Sequence, residues 1–164
     1  MGYHLHLIAV PEAELREDGV WLAELFAASW DAWSGGEKSP DAVETVIEKD
    51  FFTLDHLLCG AEKHDIGPWL PASLLIFGGR PVYHPKYPDP YVLLTPEEVR
   101  VAADFIRRTA FEELWAVSGV ELAASWGRPR AEVAEMLAGH YADLRDTYGR
   151  AAAEGRVVAK YFAF

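Results

Sequence analysis

The amino-acid sequence predicts one helix-rich α+β domain over residues 1–164, with a small mixed or antiparallel sheet of three to four strands and about five helices. Three observations lead to this prediction. Residues 3–10 alternate in a pattern typical of a strand that is apolar on both faces, and residues 156–164 are β-branched and aromatic. Between them, apolar residues recur at helical spacing. The length of 164 residues and the 51% hydrophobic content suit a single core.

In the first half, Pro11 ends the strand, and one helical turn is expected over residues 12–15. A helix over residues 20–33 is indicated by the spacing of Trp21, Leu22, Leu25, Phe26 and Trp30. After a Gly/Ser/Pro loop at 34–40, Asp41 is the expected N-cap of a second helix. Its apolar stripe is Ile47, Phe51, Leu54 and Leu58, and Gly60 is its C′ residue.

In the second half, residues 73–77 are predicted to form a buried strand that Gly78 and Gly79 end. Four prolines within 80–90 argue against regular structure there, and residues 91–94 suit a brief edge strand. Thr95-Pro96-Glu97-Glu98 has the pattern of a capping box and predicts a helix to about Arg108.

Two more helices and a closing strand complete the chain. Residues 111–117 are predicted to form a short helix. A long helix begins near Pro129 and continues to Gly155, with a buried stripe formed by Val133, Leu137, Tyr141, Leu144 and Tyr148. Residues 156–164 form the closing strand.

The net charge of −11 limits the partners that the chain attracts. Such a charge repels nucleic-acid phosphates and anionic lipid surfaces, so neither is an expected partner. A basic protein would be attracted. With one cysteine, Cys59, the chain holds no internal disulfide or thiolate cluster. Together with the lack of a signal peptide pattern or a long apolar run, this predicts a cytoplasmic location.

Four segments taken in order suggest a family: residues 49–60, 76–79, 93–99 and 141–158. In their sequence and spacing, the chain resembles the YfbM-like domains, a bacterial family of unknown function. The resemblance implies a helix-rich α+β fold with a small sheet. Because the family has no established reaction, it implies no catalytic residues.

Two small groups of side chains are candidates for chemistry. His4 and His6 lie on one face of the first strand, about 6.6 Å apart at the strand rise, and would bind a metal if His56 or a carboxylate supplied a third ligand. The alternative is that a helix packs over them. Cys59 follows His56 by three residues, so a lowered thiol pKa and nucleophilic use are conceivable, but a buried structural cysteine is the favoured interpretation.

Other motifs argue against familiar chemistry. The residues 35–39 lack the glycines of a phosphate-binding loop, and no signature of dinucleotide binding, serine hydrolysis or zinc proteolysis occurs. No cofactor and no catalytic residue are therefore predicted. The tryptophans Trp21, Trp30 and Trp33 are expected in the core rather than on a stacking surface.

The segment 78–91 is the strongest candidate for a binding surface. It alternates basic and aromatic residues among prolines, and the expected ligand or partner contacts are Arg80, Tyr83, His84, Lys86, Tyr87 and Tyr91. Alternatively, this loop only covers the edge of the sheet.

Two functions follow. The leading hypothesis is a non-enzymatic interaction protein, an acidic partner that masks a basic protein as immunity proteins do. The rival is a small-molecule enzyme or ligand-binding domain whose pocket collects His4, His6, His56 and His84. A deep pocket would favour the rival, and a flat acidic face the leading hypothesis.

Overall fold

The computed structural model describes residues 3–60 and 70–164. The strands in these ranges are β1 (His4–Val10), β2 (Glu44–Glu48), β3 (Arg80–Val82), β4 (Tyr91–Leu94) and β5 (Val157–Ala163). The helices are α1 (Gly19–Ser34), α2 (Phe51–Cys59), α3 (Pro96–Arg108), α4 (Phe111–Trp126) and α5 (Arg130–Ala153). Two short 3-10 helices lie at Glu12–Glu14 and Pro71–Leu75.

All five strands form one antiparallel sheet in the order β2-β1-β5-β4-β3. The first and last strands of the chain are neighbours near its centre, and they pair from His4 opposite Ala163 to Val10 opposite Val157. The α+β class and the helix-rich character are confirmed. The prediction of three to four strands is wrong, since the sheet has five. The segment of β2 was predicted to be helical, and that of β3 to lack regular structure.

The two faces of the sheet are covered unequally. One face carries Leu5, Leu7, Val158 and Phe162, which join the larger core formed with α2, α3, α4, α5 and the segment 71–77. The opposite face carries Ile8, Val10, Leu93 and Ala159, and it packs against Leu22 and Phe26 of α1. Of the helices in residues 3–60 and 70–164, α1 therefore covers this second face, and the candidate site lies beneath it.

The predicted helix that begins at Asp41 and includes Ile47 is wrong in its first half. Residues Glu44–Glu48 form β2, in which Ile47 lies opposite Leu5 of β1. Lys49 then turns the chain in the left-handed region (φ 57°), and α2 begins at Phe51. Ile47 and Phe51 have helical spacing because a strand and a helix deliver them to the same core. Gly60 ends α2 with φ 71°, as predicted.

The region before β4 also differs from the prediction. Residues 73–77 do not form a strand: Pro71–Leu75 is a 3-10 helix whose Leu74 and Leu75 are buried in the core. The prolines do not exclude regular structure, since Pro81 lies in β3 at the sheet edge, where strand prolines are tolerated. Residues 91–94 form β4 as a strand, but between β3 and β5 rather than at the edge.

The remaining helices follow the sequence closely, with one difference in length. The capping box at Thr95 is complete, and α3 ends at Arg108. The long helix α5 buries the predicted stripe. The helix predicted for 111–117 continues to Trp126, through Gly119, against which the Trp115 ring packs. Within the part of the chain that the structure describes, no helix is long and apolar enough to cross a membrane.

Candidate functional site

An open cleft of about 690 Å³ lies between α1 and the face of the sheet that α1 covers. We call it the α1 cleft. Its floor comes from β1, β4 and β5, its roof from α1, and its rim from the ends of β2 and the loop before β4. The lining residues are Tyr3, His4, His6, Ala23, Phe26, Ala27, Trp30, Asp31, Glu48, Lys49, Asp89, Tyr91, Tyr161, Ala163 and Phe164.

Three alanines open the space for this cleft. Ala23 and Ala27 are four residues apart, so they lie on one side of α1, and both face the cleft. Ala163 lies opposite His4 on the floor, where a larger side chain would fill the gap. The cleft therefore follows from small residues placed on both of its walls.

Aromatic rings form most of the remaining wall. The His4 ring stacks on Trp30 with centroids 4.5 Å apart. Further in, Tyr91 stacks on both Phe26 (5.5 Å) and Tyr161 (5.3 Å). Burial raises the pKa of Tyr91 and of Tyr161, so both phenols are neutral and able to donate a hydrogen bond near neutral pH.

Charged side chains from three elements surround the opening. Asp31 comes from the last turns of α1, Glu48 and Lys49 from the end of β2, and Asp89 from the loop before β4. All four are exposed. Among the residues that the structure describes, Lys49 is the one non-glycine residue with a positive φ. Its amide donates to the Tyr3 carbonyl at 2.8 Å.

A buried polar cluster joins β1, α1 and β2 beside the cleft. His6 is 1% exposed, and its Nε2 lies 3.4 Å from Glu44 Oε2 and 3.2 Å from Ser29 Oγ. The Ser29 hydroxyl donates to the same Glu44 oxygen. Burial lowers the pKa of His6, and Glu44 partly opposes that shift. The cluster differs from a catalytic triad, in which the carboxylate and the hydroxyl contact opposite ring nitrogens.

The predicted histidine pair lies on one face of β1, under α1. His4 lines the cleft and stacks on Trp30, while His6 makes the cluster with Ser29 and Glu44. His56 cannot join them, since α2 packs on the other face of the sheet, where His56 lies 3.9 Å from Glu121. Among residues 3–60 and 70–164, no three His, Cys, Asp or Glu side chains stand close enough to hold a metal ion.

The predicted loop residues separate into two groups. Tyr91 lines the cleft, but it is only 6% exposed. Tyr83 and Tyr87 are both 61% exposed, and Tyr87 stacks on His84 with centroids 4.4 Å apart. Arg80 pairs with Glu17, and the main-chain amide of Lys86 donates to the His84 ring. The loop thus forms a surface beside the cleft, and contributes Asp89 and Tyr91 to it.

Gly19 holds this loop against the start of α1. A Cβ atom at Gly19 would lie 2.7 Å from the Cα of His84, which leaves no room for any side chain. Asp18 caps the helix there, since its carboxylate accepts a hydrogen bond from the Trp21 amide at 2.8 Å. One wall of the cleft is therefore positioned by a close backbone contact.

Cys59, considered with His56 as a candidate pair, has two polar side chains near its sulfur. Cys59 Sγ lies 3.7 Å from Asp55 Oδ1 and 4.0 Å from Ser73 Oγ, on the side of α2 that faces the core. The placement fits the structural interpretation, in which a cysteine near the core packs as a small side chain.

Sequence reasoning missed two features. Trp30 was expected in the core, but it lines the α1 cleft. Lys160 is fully buried in β5, where its Nζ donates to the carbonyl oxygens of Leu74, Ile76 (2.9 Å) and Gly78 (2.8 Å). Burial lowers its pKa to about 7. A signal did exist, because Lys160 alternates with Val158 and Phe162 on the core face of its strand.

The fold and the cleft together define an α+β protein with a five-stranded antiparallel sheet, one face packed against a helical layer and the other spanned by one helix over an open cleft. The chain belongs to the family described as domain of unknown function DUF1877, which matches residues 1–161. No curated protein matches it.

Among solved structures, the chain is similar to YfbM from Escherichia coli, a protein of unknown function. The two are 14% identical over 98% of this chain and 99% of that chain, with a TM-score of 0.62. At this identity the similarity shows a shared fold. The family resemblance seen in the sequence is confirmed, and no specific function comes with it.

Proposed function

We propose that this protein binds a small organic molecule in the α1 cleft. The observation that carries the proposal is a concave site of about 690 Å³ with aromatic walls and a few polar groups. Small-molecule sites are typically clefts of roughly 300–1,000 Å³ with this mixture of lining groups. Of the two functions considered from the sequence, this supports the ligand-binding alternative.

Binding rather than catalysis is the activity that the cleft supports. His6 is the histidine with a shifted pKa at this site, and both of its polar neighbours contact the same ring nitrogen. Because His6 is 1% exposed, its ring offers almost no surface to a substrate, and this favours a role in the structure of the site over one as general base.

Ligand-observed NMR with a library of neutral, cationic and anionic fragments tests the proposal. Ala27→Leu fills the cleft while keeping a good helix former. Ala28→Leu is the matched control, since Ala28 is exposed and does not line the cleft. We expect a set of fragments that bind the wild type and Ala28→Leu but not Ala27→Leu. Equal binding to all three proteins, or no binding at all, would contradict the proposal.

The basic protein partner predicted from the sequence is a second, separate proposal. Its support is the net charge of −11, which belongs to the whole surface and selects no particular face. Of the contact residues suggested for it, Tyr83 and Tyr87 are exposed and available to a partner, whereas Tyr91 is buried. A cytoplasmic location is likewise a proposal, supported by the single cysteine.

A further inference from the structure

We infer that the ligand of the α1 cleft is an organic cation, with an alkylammonium group attached to an apolar body. The inference rests on the proposed function and names the chemical class of its ligand. Two independent properties of the cleft support it, the aromatic lining and the distribution of charge.

Aromatic rings are the first property. Phe26, Trp30, Tyr91 and Tyr161 all line the cleft, and Tyr91 is stacked between Phe26 and Tyr161. Trp30 and Tyr161 each stack on one neighbour, His4 and Tyr91, and are the rings that we expect to contact a cation. The face of an aromatic ring carries partial negative charge, and it attracts ammonium groups within about 6 Å of the ring centre. Tryptophan attracts cations most strongly, and sites built from several such rings recognise alkylated ammonium groups. An aromatic-walled cleft therefore favours a cation with an apolar surface over a strongly hydrated inorganic ion.

Charge is the second property. Asp31, Glu48 and Asp89 approach the cleft from α1, from β2 and from the loop before β4, whereas Lys49 contributes one positive charge. His6 adds none near neutral pH, because burial lowers its pKa. Three carboxylates against one ammonium favour a cationic ligand, and the −11 net charge of the chain acts in the same direction.

The cleft also constrains the rest of the ligand. Its alanines, Ala23, Ala27 and Ala163, add small apolar side chains to the lining. A ligand with its cationic group among the rings and carboxylates would place an alkyl or aromatic body along these alanines. The same group can come from a free amine or from the lysine side chain of a peptide, since both present an alkylammonium.

A matched ligand pair tests the inference. Choline and 3,3-dimethylbutan-1-ol have nearly the same shape, but only choline is charged. In titrations followed by amide NMR shifts, we expect choline to bind at least about tenfold more tightly, a difference of ~1.4 kcal/mol. Titration with Nα-acetyl-lysine amide in parallel distinguishes a lysine side chain from a free quaternary amine, according to which of the two binds more tightly.

Variants locate the effect. Asp31→Asn and Asp89→Asn should each weaken choline binding about fivefold and leave the neutral alcohol unchanged. Asp143→Asn is the control, because Asp143 is exposed on α5, away from the cleft lining. Trp30→Leu should reduce the preference for choline over the alcohol.

The outcomes separate this inference from the function on which it rests. If neutral or anionic fragments bind in a manner that Ala27→Leu abolishes, while choline binds no more tightly than the alcohol, then the cleft binds ligands but the cation inference is overturned. If no fragment shows binding that depends on Ala27, the proposed function itself fails, and the inference fails with it.

Discussion

At the scale of single residues, Lys160 has the most unusual environment in the described chain. Its ammonium group lies fully buried and donates to three backbone carbonyls of the segment after residue 73. In its charged form Lys160 has three donors for these three acceptors, so it fixes a stretch of main chain that lies outside the described strands. Tyr148, also buried, donates to the carbonyls of Leu74 and Leu75 and supports the same segment.

Replacing Lys160 by methionine should therefore destabilise the protein. Lys160→Met keeps an unbranched side chain but removes the lysine donors from the buried carbonyls of Ile76 and Gly78, while the Leu74 carbonyl keeps Tyr148. Each buried carbonyl that loses its donor costs roughly 1–3 kcal/mol. We expect the free energy of unfolding to fall by at least ~2 kcal/mol in urea denaturation. Lys86→Met, at an exposed loop position, is the control and should change little. Equal stability of the two variants would contradict the role of Lys160.

The pKa of Lys160 adds a dependence on pH. Burial lowers this pKa from 10.5 to about 7, with Asp55 and Glu98 opposing the shift. Between those two values the unfolded chain binds more protons than the folded protein, so the free energy of unfolding should rise as pH increases from 7 toward 10. The slope should be smaller in Lys160→Met. Because the tyrosines with raised pKa values titrate alike in both proteins, the difference between the slopes isolates Lys160.

His6 should have its effect in acid. Its pKa lies below the usual 6.5 because burial disfavours the imidazolium, despite Glu44. As pH falls below about 6.5 the unfolded chain takes up a proton that the folded protein resists, so stability is lost on acidification. His6→Gln, which keeps a donor near Glu44 but cannot be protonated, should lose less stability between pH 6.5 and 5 than the wild type. Matching profiles for the variant and the wild type would count against this assignment.

At the scale of elements, the turn at Lys49 links structure and function. It separates β2 from α2 in a left-handed conformation, which costs an L-residue roughly 1–2 kcal/mol. It also brings the Lys49 side chain to the α1 cleft.

We expect Lys49→Gly to be neutral or to stabilise by up to ~1 kcal/mol, because glycine adopts positive φ without steric cost but loses more entropy on folding. Lys49→Val should destabilise, since a branched side chain fits this conformation poorly. Thermal unfolding of the two variants measures the difference. A glycine variant less stable than the valine variant would show that the turn is not strained.

The segment around this turn shows why local sequence patterns predict some elements and not others. Helices with strong local signals, such as α3 with its Thr95 capping box and α5 with its apolar stripe, were predicted closely. The segment containing Ile47 was not, because helical spacing also arises when a strand and the next helix reach one core. Likewise, β3 depends on pairing with β4, a contact between strands that no local pattern encodes.

The candidate site was predicted only in part for a similar reason. His4, His6 and Tyr91 were recognised as candidates, and the structure places all three in the lining of one cleft. The alanines that open it carry no chemical signal, and Trp30 was taken for a core residue. A cleft is defined by what side chains leave empty between distant elements, which requires the tertiary arrangement of α1 over the sheet.

At the scale of the whole molecule, the sheet divides the protein into unequal halves. One face is buried under α2, α3 and α5 with a continuous apolar core, and the other is covered by α1 through a smaller cluster around Leu22 and Phe26. The cleft further reduces the contact of α1 with the sheet. Fewer buried apolar groups hold α1 in place, so its local opening should cost less free energy than that of the opposite helical layer.

Hydrogen exchange measured by mass spectrometry tests this difference. Amides of α1 should exchange by local opening, at a lower free energy than those of α5, which require global unfolding. If the α1 cleft binds an alkylammonium ligand, a saturating concentration of that ligand should slow exchange in α1 and in the loop before β4 while leaving α5 unchanged, because only the opened state of α1 loses the binding site. Ala27→Leu should show no ligand effect. Uniform protection of α1 and α5 without ligand would instead mean that the two halves of the protein unfold as one unit.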